Sequence, residues 1–331
     1  MIIRSLTLLV LAVVAIGCSG LQAPLNPAGP SARSIAWLTW TFFTICGVVY
    51  AVTLSALIWA VMRRRRDEDD SPRTSRRLGT VVGAATAVTV MTLVVLTISS
   101  IVAGRGLTTP SGAGAVVIDA IGHQWWWEFN YQDVAPSDWV NSPNELHLPA
   151  GVPVVIRALS RDVIHSFWVP NLQGKRDLIP GILTYLWLQA DQPGEYRGQC
   201  AEFCGPQHAH MAFRVVVQPV GEFQEWLRQQ RQSAASPASA EAQHGQDVFM
   251  QSTCRTCHTI RGTEAGSRVG PELTHVGSRR SIAAEALPND RTSLTTWIRN
   301  AQLVKPGSRM PPNPLSETDL KAVVAYIQGL R

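Results

Sequence analysis

The sequence has few charged residues for its length. Asp, Glu, Lys and Arg make up 16% of the 331 residues, whereas hydrophobic residues make up 46%. No charged residue occurs in 35–62 or in 78–104, and each stretch exceeds the roughly 20 residues that cross the hydrocarbon core of a bilayer. This scarcity argues against a wholly soluble protein and predicts two transmembrane helices. A buried core helix is the alternative, but helices of this length are rare inside globular domains.

Positive charge is concentrated between the two apolar stretches. The seven arginines of this loop are Arg63, Arg64, Arg65, Arg66, Arg73, Arg76 and Arg77. Because basic residues keep short loops on the cytoplasmic side, both long flanks are expected on the outer face of the membrane. Much of the net charge of +5 lies in this loop, so we interpret it as a topology signal and expect no nucleic-acid partner.

A third apolar run, 6–16, is too short to span a bilayer. Arg4 precedes it, and small residues with Cys18 follow, which predicts a secretory signal peptide over 1–17. Residues 15–18 resemble a bacterial lipoprotein cleavage site, although leucine usually stands where Ala15 does. A lipidated and an unmodified Cys18 are the two alternatives.

Short β-branched and aromatic runs, separated by turn-forming residues, follow the second apolar stretch. This pattern predicts an all-β sandwich or barrel, which we assign to 112–220. The candidate strands are 115–121, 152–159, 165–169, 183–188, 195–199 and 212–217. His165 then begins a strand, and 200–211 connects the last two strands.

The remainder of the chain has the periodicity of helices. A short helix at 221–231 and a flexible linker rich in Ala, Ser and Gln up to 243 lead to a second soluble domain over 244–331. Ser316 is the expected N-cap of the last helix, with Asp319 closing a capping box. The helices expected in this domain are 245–252, 294–303 and 316–330.

Residue types that bind metals are clustered in and before the 200–211 segment. Cys200, Cys204, His208 and Met211 follow His165, and thiolate, thioether and imidazole ligands together favour copper over hard cations. A disulfide is possible on the outer face, but it needs neither an imidazole nor a thioether nearby. A single-copper site would use one cysteine, and zinc would have little use for the methionine. The two cysteines favour two coppers, although Met211 could instead be a core residue.

A second motif, Cys254, Cys257 and His258, has the Cys-x-x-Cys-His spacing of haem c attachment. The two thiols bond the haem and the histidine binds its iron. A redox disulfide or half a zinc site is the alternative, but the adjacent histidine favours haem. Met310 is the only methionine after the motif and is the expected sixth ligand, with His275 as its rival.

Taken together, these motifs carry a resemblance to a known family. The cysteine-rich segment, the aromatic run 122–127, and the segments 162–168 and 179–181 closely resemble subunit II of cytochrome c oxidase, over about 35–218. In that family two coppers form the copper A centre, to which the glutamate between the cysteines contributes its backbone carbonyl. All six ligand positions of the family match: His165, Cys200, Glu202, Cys204, His208 and Met211.

The resemblance implies further roles. The Glu202 side chain would bind Mg²⁺ at the interface with subunit I, and Trp125 would be the point of electron input. On sequence alone, such tryptophans are more often core or interfacial residues. Quinol oxidases of the same fold lack the copper ligands, so a cytochrome or haem donor is implied. Many relatives carry a glutamate near the start of the second membrane helix, at a proton path into subunit I, but 73–90 contains no acidic residue.

The C-terminal region resembles a class I cytochrome c domain, so the whole chain is similar to the fused subunit II of caa-type oxidases. The expected fold class is a multidomain membrane protein with a two-helix transmembrane hairpin, an all-β cupredoxin domain and an all-α class I cytochrome c domain. The expected function is that of the electron-input subunit of a respiratory cytochrome c oxidase, which is an oxidoreductase and proton translocase. Electrons would pass from a cytochrome c through one covalent haem c and binuclear copper A to haem in subunit I.

Oxygen reduction and proton pumping are expected in subunit I, because the apolar stretches of this chain contain no histidine. The other expected partners are subunit III and the lipid bilayer of a bacterial inner membrane, with the copper and haem domains on the periplasmic face.

A nitrous oxide reductase also has a copper A domain but would need a large histidine-rich propeller. Copper-delivery proteins use Cys-x-x-x-Cys on a thioredoxin-like fold, whose βαβ pattern is not found here. Neither alternative explains the haem motif.

Overall fold

Residues 20–63, 72–108, 116–132 and 139–331 are described by a computed structural model. The chain divides into two compact units, one of 33–109 and one of the remaining residues. The predicted signal peptide over 1–17, Cys18, and the loop arginines 64–66 lie outside the described residues.

Two long apolar helices form the first unit. Helix α1 spans Pro30–Met62 and α2 spans Pro72–Thr108, and both are long and apolar enough to cross a membrane. At 1.5 Å per residue, the 33 residues of α1 extend about 50 Å, which exceeds the ~30 Å hydrocarbon core. The hydroxyls of Thr44 and Thr89 donate to carbonyls four residues earlier, so these polar groups are satisfied within the helices, as lipid requires. The two predicted helices are confirmed, and each extends beyond its charge-free stretch.

A sandwich of two five-stranded sheets, which we call the β-domain (116–218), follows the membrane helices. The strand order is β3-β2-β1-β5-β8 in one sheet and β4-β10-β9-β6-β7 in the other. The strands are β1 Val116–His123, β2 Trp126–Tyr131, β3 Val140–Pro143, β4 Glu145–Pro149, β5 Val154–Ser160, β6 His165–Trp168, β7 Arg176–Leu178, β8 Thr184–Leu188, β9 Gly194–Cys200 and β10 Ala212–Gln218.

All six predicted strands are present within two residues of their expected ends, but the pattern does not predict β2, β3, β4 and β7. Strand β7 has three residues and β3 has four, too few for alternation to be visible. Only Asn144, with a φ of 60°, separates β3 from β4, so the turn between them has no recognisable loop. Strand β2 begins within the aromatic run and continues to Tyr131.

Large aromatic side chains fill the space between the sheets. The Phe213 ring lies 5.0 Å from the ring of Phe167 and 5.2 Å from that of Trp127. Cys200 and Met211 belong to the same buried cluster. The ends of β9 and β10 therefore rest on a densely packed base, which holds the segment between them in place.

Helix α3, Val220–Gln230, continues from β10 as predicted and packs against the β-domain. Phe223 and Leu227 are buried on its inner side. The indole of Trp226 stacks on the His147 ring at 3.9 Å. This end of the β-domain is thereby closed by the helix.

The C-terminal part of the chain, which we call the helical domain (240–331), contains α4 Ala240–Gln251, α5 Arg291–Arg299 and α6 Glu317–Gly329. A two-stranded ribbon of β11, Ser281–Ile282, and β12, Leu287–Pro288, lies before α5. Helices α4 and α6 meet at Gly245, where an added Cβ would collide with the carbonyl oxygen of Ala322. Glycine is required there because the two backbones approach so closely.

The helix ends in this domain are set by side-chain caps. The Ser239 hydroxyl accepts a bond from the N–H of Ala242 at 3.1 Å, so α4 begins at Ala240 and includes the last four residues of the predicted linker. Asp290 caps α5, which begins three residues earlier and ends four residues earlier than predicted. Ser316 caps α6 as expected, accepting from the N–H of Asp319 at 3.0 Å.

Candidate copper and haem sites

The candidate copper ligands meet at one end of the β-domain. Cys200 is the last residue of β9, and Met211 immediately precedes β10. His165 begins β6, which pairs with β9 so that Phe167 lies opposite Cys200. Nitrogen and sulfur atoms of His165, Cys200 and Cys204 all lie within 4.8 Å of one another, and the three residues are buried. Strand register thus brings an upstream histidine to two cysteines of the loop.

Each of the two cysteine sulfurs has two further donor atoms close to it. Cys200 Sγ lies 3.9 Å from His165 Nδ1 and 3.3 Å from the carbonyl oxygen of Glu202. Cys204 Sγ lies 3.6 Å from His208 Nδ1 and 3.8 Å from Met211 Sδ. The two sulfurs are 3.7 Å apart, whereas a disulfide bond would require about 2.05 Å. These thiolate, imidazole, thioether and carbonyl donors would suit soft metal ions such as copper.

The cysteine pair is electrostatically prepared for a metal. A hydrogen bond from Cys204 lowers the pKa of Cys200 to about 3, with a further contribution from His165. Sharing this bond, together with burial, raises the pKa of Cys204. One thiolate is therefore favoured already, and a bound cation would displace the remaining proton.

A carboxylate outside the donor set fixes the orientation of His165. His165 Nε2 donates to Asp162 Oδ1 at 2.8 Å, which turns Nδ1 towards Cys200. Asp162 also accepts from the backbone N–H of Gln124 at 2.8 Å. Burial raises the pKa of Asp162, but these hydrogen bonds outweigh it and bring the pKa to about 2. Such partners hold a ligand histidine in one tautomer and one ring position.

The Glu202 side chain points away from the two sulfurs. Its carboxylate is 44% exposed and lies 3.8 Å from Lys175 Nζ, while its carbonyl faces Cys200. The backbone carbonyl of Glu202 therefore faces the cysteines, while its side chain faces the surface. A surface ion pair such as that with Lys175 contributes little to stability.

The three tryptophans of the aromatic run have separate surroundings. Trp125 Nε1 donates to the carbonyl of Cys204 at 2.9 Å, and only 8% of the residue is exposed. Gly205, with a φ of 116°, makes room for it, since an added Cβ would lie 3.0 Å from the indole. Trp126 stacks on His123 at 4.1 Å, and Trp127 is fully buried in the core. Two of the three are bonded to the cysteine segment: Trp125 at the Cys204 carbonyl, and Trp127 at the carbonyl of Met211, at 3.4 Å.

The haem motif lies at the edge of a cavity in the helical domain. The cavity has a volume of about 390 Å³ and is lined by Cys254, Cys257, His258 and Met310. Apolar side chains such as Phe249 complete its walls. A large apolar cavity with two half-buried free thiols at its margin fits a flat apolar group that is bonded through both sulfurs.

His258 is oriented as an iron ligand would be. Its Nδ1 donates to the carbonyl of Pro271 at 2.7 Å, which leaves Nε2 free. Burial lowers its pKa, so the ring is neutral and can act as a ligand at neutral pH. Gly270 allows this ring position, because an added Cβ would lie 2.9 Å from the imidazole.

The two rivals for the sixth ligand position are separated by the fold. Met310 lines the cavity with the haem motif, and its carbonyl is held by Gln302 Nε2 at 2.7 Å. His275 is not part of the lining, and its Nε2 lies 3.1 Å from the carbonyl of Gln232. The arrangement favours Met310.

Sequence reasoning missed the wall that the β-domain contributes to this cavity. Trp125, Trp126 and Asp162 line it together with Lys305 of the helical domain. Nothing in the pattern distinguishes Lys305 from an ordinary loop lysine, and its position depends on how the two domains meet. The one sequence signal for a role of Lys305 is that it lies five residues before Met310, the expected haem ligand.

The fold and the two sites define a class of protein: a membrane-anchored electron-transfer protein that joins a cupredoxin-like domain to a cytochrome c domain. Two family models match the chain. One describes the periplasmic domain of cytochrome c oxidase subunit II and matches 135–220. The other describes cytochrome c and matches 242–331.

Individual proteins are similar to this chain. Cytochrome c oxidase subunit 2 of Alkalihalophilus pseudofirmus is 34% identical over 290 residues, which cover 86% of this chain and 82% of the relative. That of Bacillus subtilis is 29% identical over 228 residues, 66% of this chain and 63% of the relative. The crystal structure of the periplasmic domain of subunit II of Bradyrhizobium japonicum cytochrome oxidase is 28% identical, with a TM-score of 0.34, and covers 38% of this chain and 96% of that one.

The chain belongs to the cytochrome c oxidase subunit 2 family and carries a cytochrome c domain. It is therefore a subunit of a haem-copper oxidase, an oxidoreductase whose other subunits are implied. The subunit II domain implies copper A and the cytochrome c domain implies haem.

Proposed function

We propose that this chain is the electron-input subunit of a respiratory cytochrome c oxidase. Electrons from an external cytochrome c enter at the helical domain, cross to the β-domain, and leave towards subunit I. The observation that carries this proposal is the position of Trp125. Trp125 is among the residues that line the cavity beside the haem motif, and its indole donates to the carbonyl of Cys204, so one residue borders both candidate sites.

In the β-domain, two coppers would be held by His165, Cys200, Cys204, His208 and Met211, with the Glu202 carbonyl as the sixth donor. In the helical domain, one haem would be bonded to Cys254 and Cys257, with His258 and Met310 as iron ligands. When bound, each group takes up and releases one electron at a time.

The protein supplies rigidity and exclusion of water. Asp162 holds His165 through the 2.8 Å bond, and Trp127 and Phe213 are fully buried beneath the cysteine loop. Ligands that cannot move keep the geometry the same in both oxidation states, which favours rapid transfer.

The remaining assignments follow from the family. The exposed Glu202 carboxylate is proposed to bind Mg²⁺ where this chain meets subunit I, and subunit III is a further partner. The chain would span a bacterial inner membrane twice, with a copper domain over 112–220 and a haem domain over 244–331 on the periplasmic side. Oxygen reduction and proton pumping would take place in subunit I.

The test is a count of cofactors in the full chain, purified in detergent after expression in a host that matures haem c. We expect two coppers per chain by elemental analysis, an EPR spectrum of one unpaired electron shared by both, and one haem that stays attached after denaturation. A single copper with a localised spectrum would contradict the binuclear assignment. Haem lost on denaturation would contradict covalent attachment.

A further inference from the structure

One lysine of the helical domain is buried against the β-domain. Lys305 is 3% exposed. Its Nζ donates to the carbonyl of Trp125 at 2.6 Å and to that of His210 at 2.9 Å, both in the β-domain. The third bond, at 3.2 Å, goes to the carbonyl of Ala283 in the helical domain. All three donor positions of the ammonium group are thus used, two of them across the contact.

Such a contact is selective for one arrangement of the domains. A buried ammonium group without acceptors is strongly unfavourable, and the acceptors here are backbone carbonyls whose positions are fixed by the β-domain fold. If the helical domain moved away, Lys305 would lose two acceptors at once. The three carbonyl acceptors match the three N–H groups of a lysine ammonium.

The residues beside Lys305 extend the contact. Gln207 Nε2 donates to the carbonyl of Pro306 at 3.0 Å. Gly307 packs beside Trp125, since an added Cβ would be in ordinary van der Waals contact with the indole at 3.7 Å. The loop of Lys305 thus covers the side of Trp125 that the cysteine loop leaves free, which explains the low exposure of this tryptophan.

A second contact is made by the turn between β11 and β12. Ala283, Ala284 and Glu285 all have left-handed φ angles of 55°, 59° and 66°, which non-glycine residues adopt only when other contacts compensate. The Glu285 carboxylate accepts from Arg214 of β10 at 3.1 Å, and the Ala284 carbonyl lies 3.4 Å from the N–H of Ala212. This turn also supplies the Ala283 carbonyl to Lys305.

We propose that Lys305 is a positioning residue that locks the helical domain onto the β-domain with Trp125 enclosed between the two candidate sites. This inference rests on the proposed function, since it assumes that electrons cross at Trp125. An external cytochrome then cannot reach Trp125, and it must deliver electrons through the helical domain.

The test measures the exposure of Trp125 in the full chain in detergent by hydroxyl-radical labelling and mass spectrometry. Lys305→Met keeps an unbranched apolar side chain and removes the ammonium group. Because buried carbonyl acceptors lose their donor, which costs about 1–3 kcal/mol, we expect labelling of Trp125 to rise about tenfold or more. Trp127, fully buried in the β-domain, is the internal reference and stays unlabelled.

Lys321→Met is the matched control, because Lys321 is exposed on α6 of the same domain. We expect it to leave Trp125 protected. In the Lys305→Met chain we further expect an added cytochrome c to reduce the copper directly, before the haem, when the two are followed by rapid-mixing absorbance. A wholly structural role of Lys305 within the helical domain would not produce this change of order.

Arg214→Gln provides a second variant that leaves Lys305 in place. It removes the ion pair with Glu285 and should raise Trp125 labelling by a smaller factor, and it replaces Lys305→Met if that chain does not fold. If Trp125 is labelled no more in either variant than in the unaltered chain, the proposed role of Lys305 is wrong. Cofactor content is measured on the same samples, so an unaltered chain without two coppers and one haem would count against the proposed function instead.

Discussion

The two candidate sites of this protein are built in opposite ways. In the β-domain, His165, Cys200 and Cys204 already have their donor atoms within 4.8 Å of one another. In the helical domain, Cys254 and Cys257 lie at the margin of a cavity of about 390 Å³. The first site is a set of side chains on a packed core, whereas the second is a space. A metal ion would therefore complete a coordination shell in one domain, and haem would complete the hydrophobic core of the other.

The largest effect that separates the two sites is expected from Cys204→Ser. A hydroxyl is a poor soft ligand, so the shared thiolate is lost and the two-copper EPR spectrum should disappear, while covalent haem remains. Cys46→Ser in α1 is the control and should change neither. Loss of haem as well would mean that the two sites are not assembled independently.

A smaller effect is expected from Met310→Ala, which alters the helical domain alone. Loss of a thioether ligand should lower the haem reduction potential by on the order of 100 mV or more, as measured by a redox titration of the haem absorbance. The copper EPR spectrum should stay unchanged. The comparison variant is His275→Ala, which should leave the potential in place. The reverse result would make His275 the ligand.

The smallest effect concerns stability rather than ligands. Ser316→Ala removes the cap that accepts from the N–H of Asp319, and such losses cost about 1 kcal/mol. We expect thermal unfolding of the helical domain, followed by haem absorbance, to occur at a lower temperature, with Ser316→Asp restoring it. The copper spectrum should be lost at the same temperature in the unaltered chain, in Ser316→Ala and in Ser316→Asp. A joint shift would show that the two domains unfold as one.

The sequence predicts the two sites unequally, for a physical reason. The cysteines, His208 and Met211 lie within twelve residues, so their spacing alone indicates copper. The haem motif is equally local. Met310 is distant from that motif, and its preference over His275 depends on which of the two faces the cavity.

What sequence reasoning could not find depends on contacts between elements. The contact of Lys305 with the Trp125 carbonyl joins residues 180 positions apart. Every residue has a backbone carbonyl, so the sequence does not indicate which carbonyl accepts the bond. The pairing of Arg214 with Glu285 is also invisible in the sequence, because it depends on the turn between β11 and β12 lying against β10. Strands β3 and β7 were missed because their pairing partners, and not their own short sequences, determine them.

The segment between α3 and α4 runs only from residue 231 to residue 239, and it joins the two domains covalently. A short tether of this kind keeps its partner at an effective concentration of about millimolar. A contact that would hold two separate molecules together only weakly is therefore well populated within one chain. Lys305 need not provide high affinity; it has only to make one orientation better than the others that the tether permits. Because the tether already supplies most of the proximity, a lock of that modest strength is sufficient to keep Trp125 enclosed.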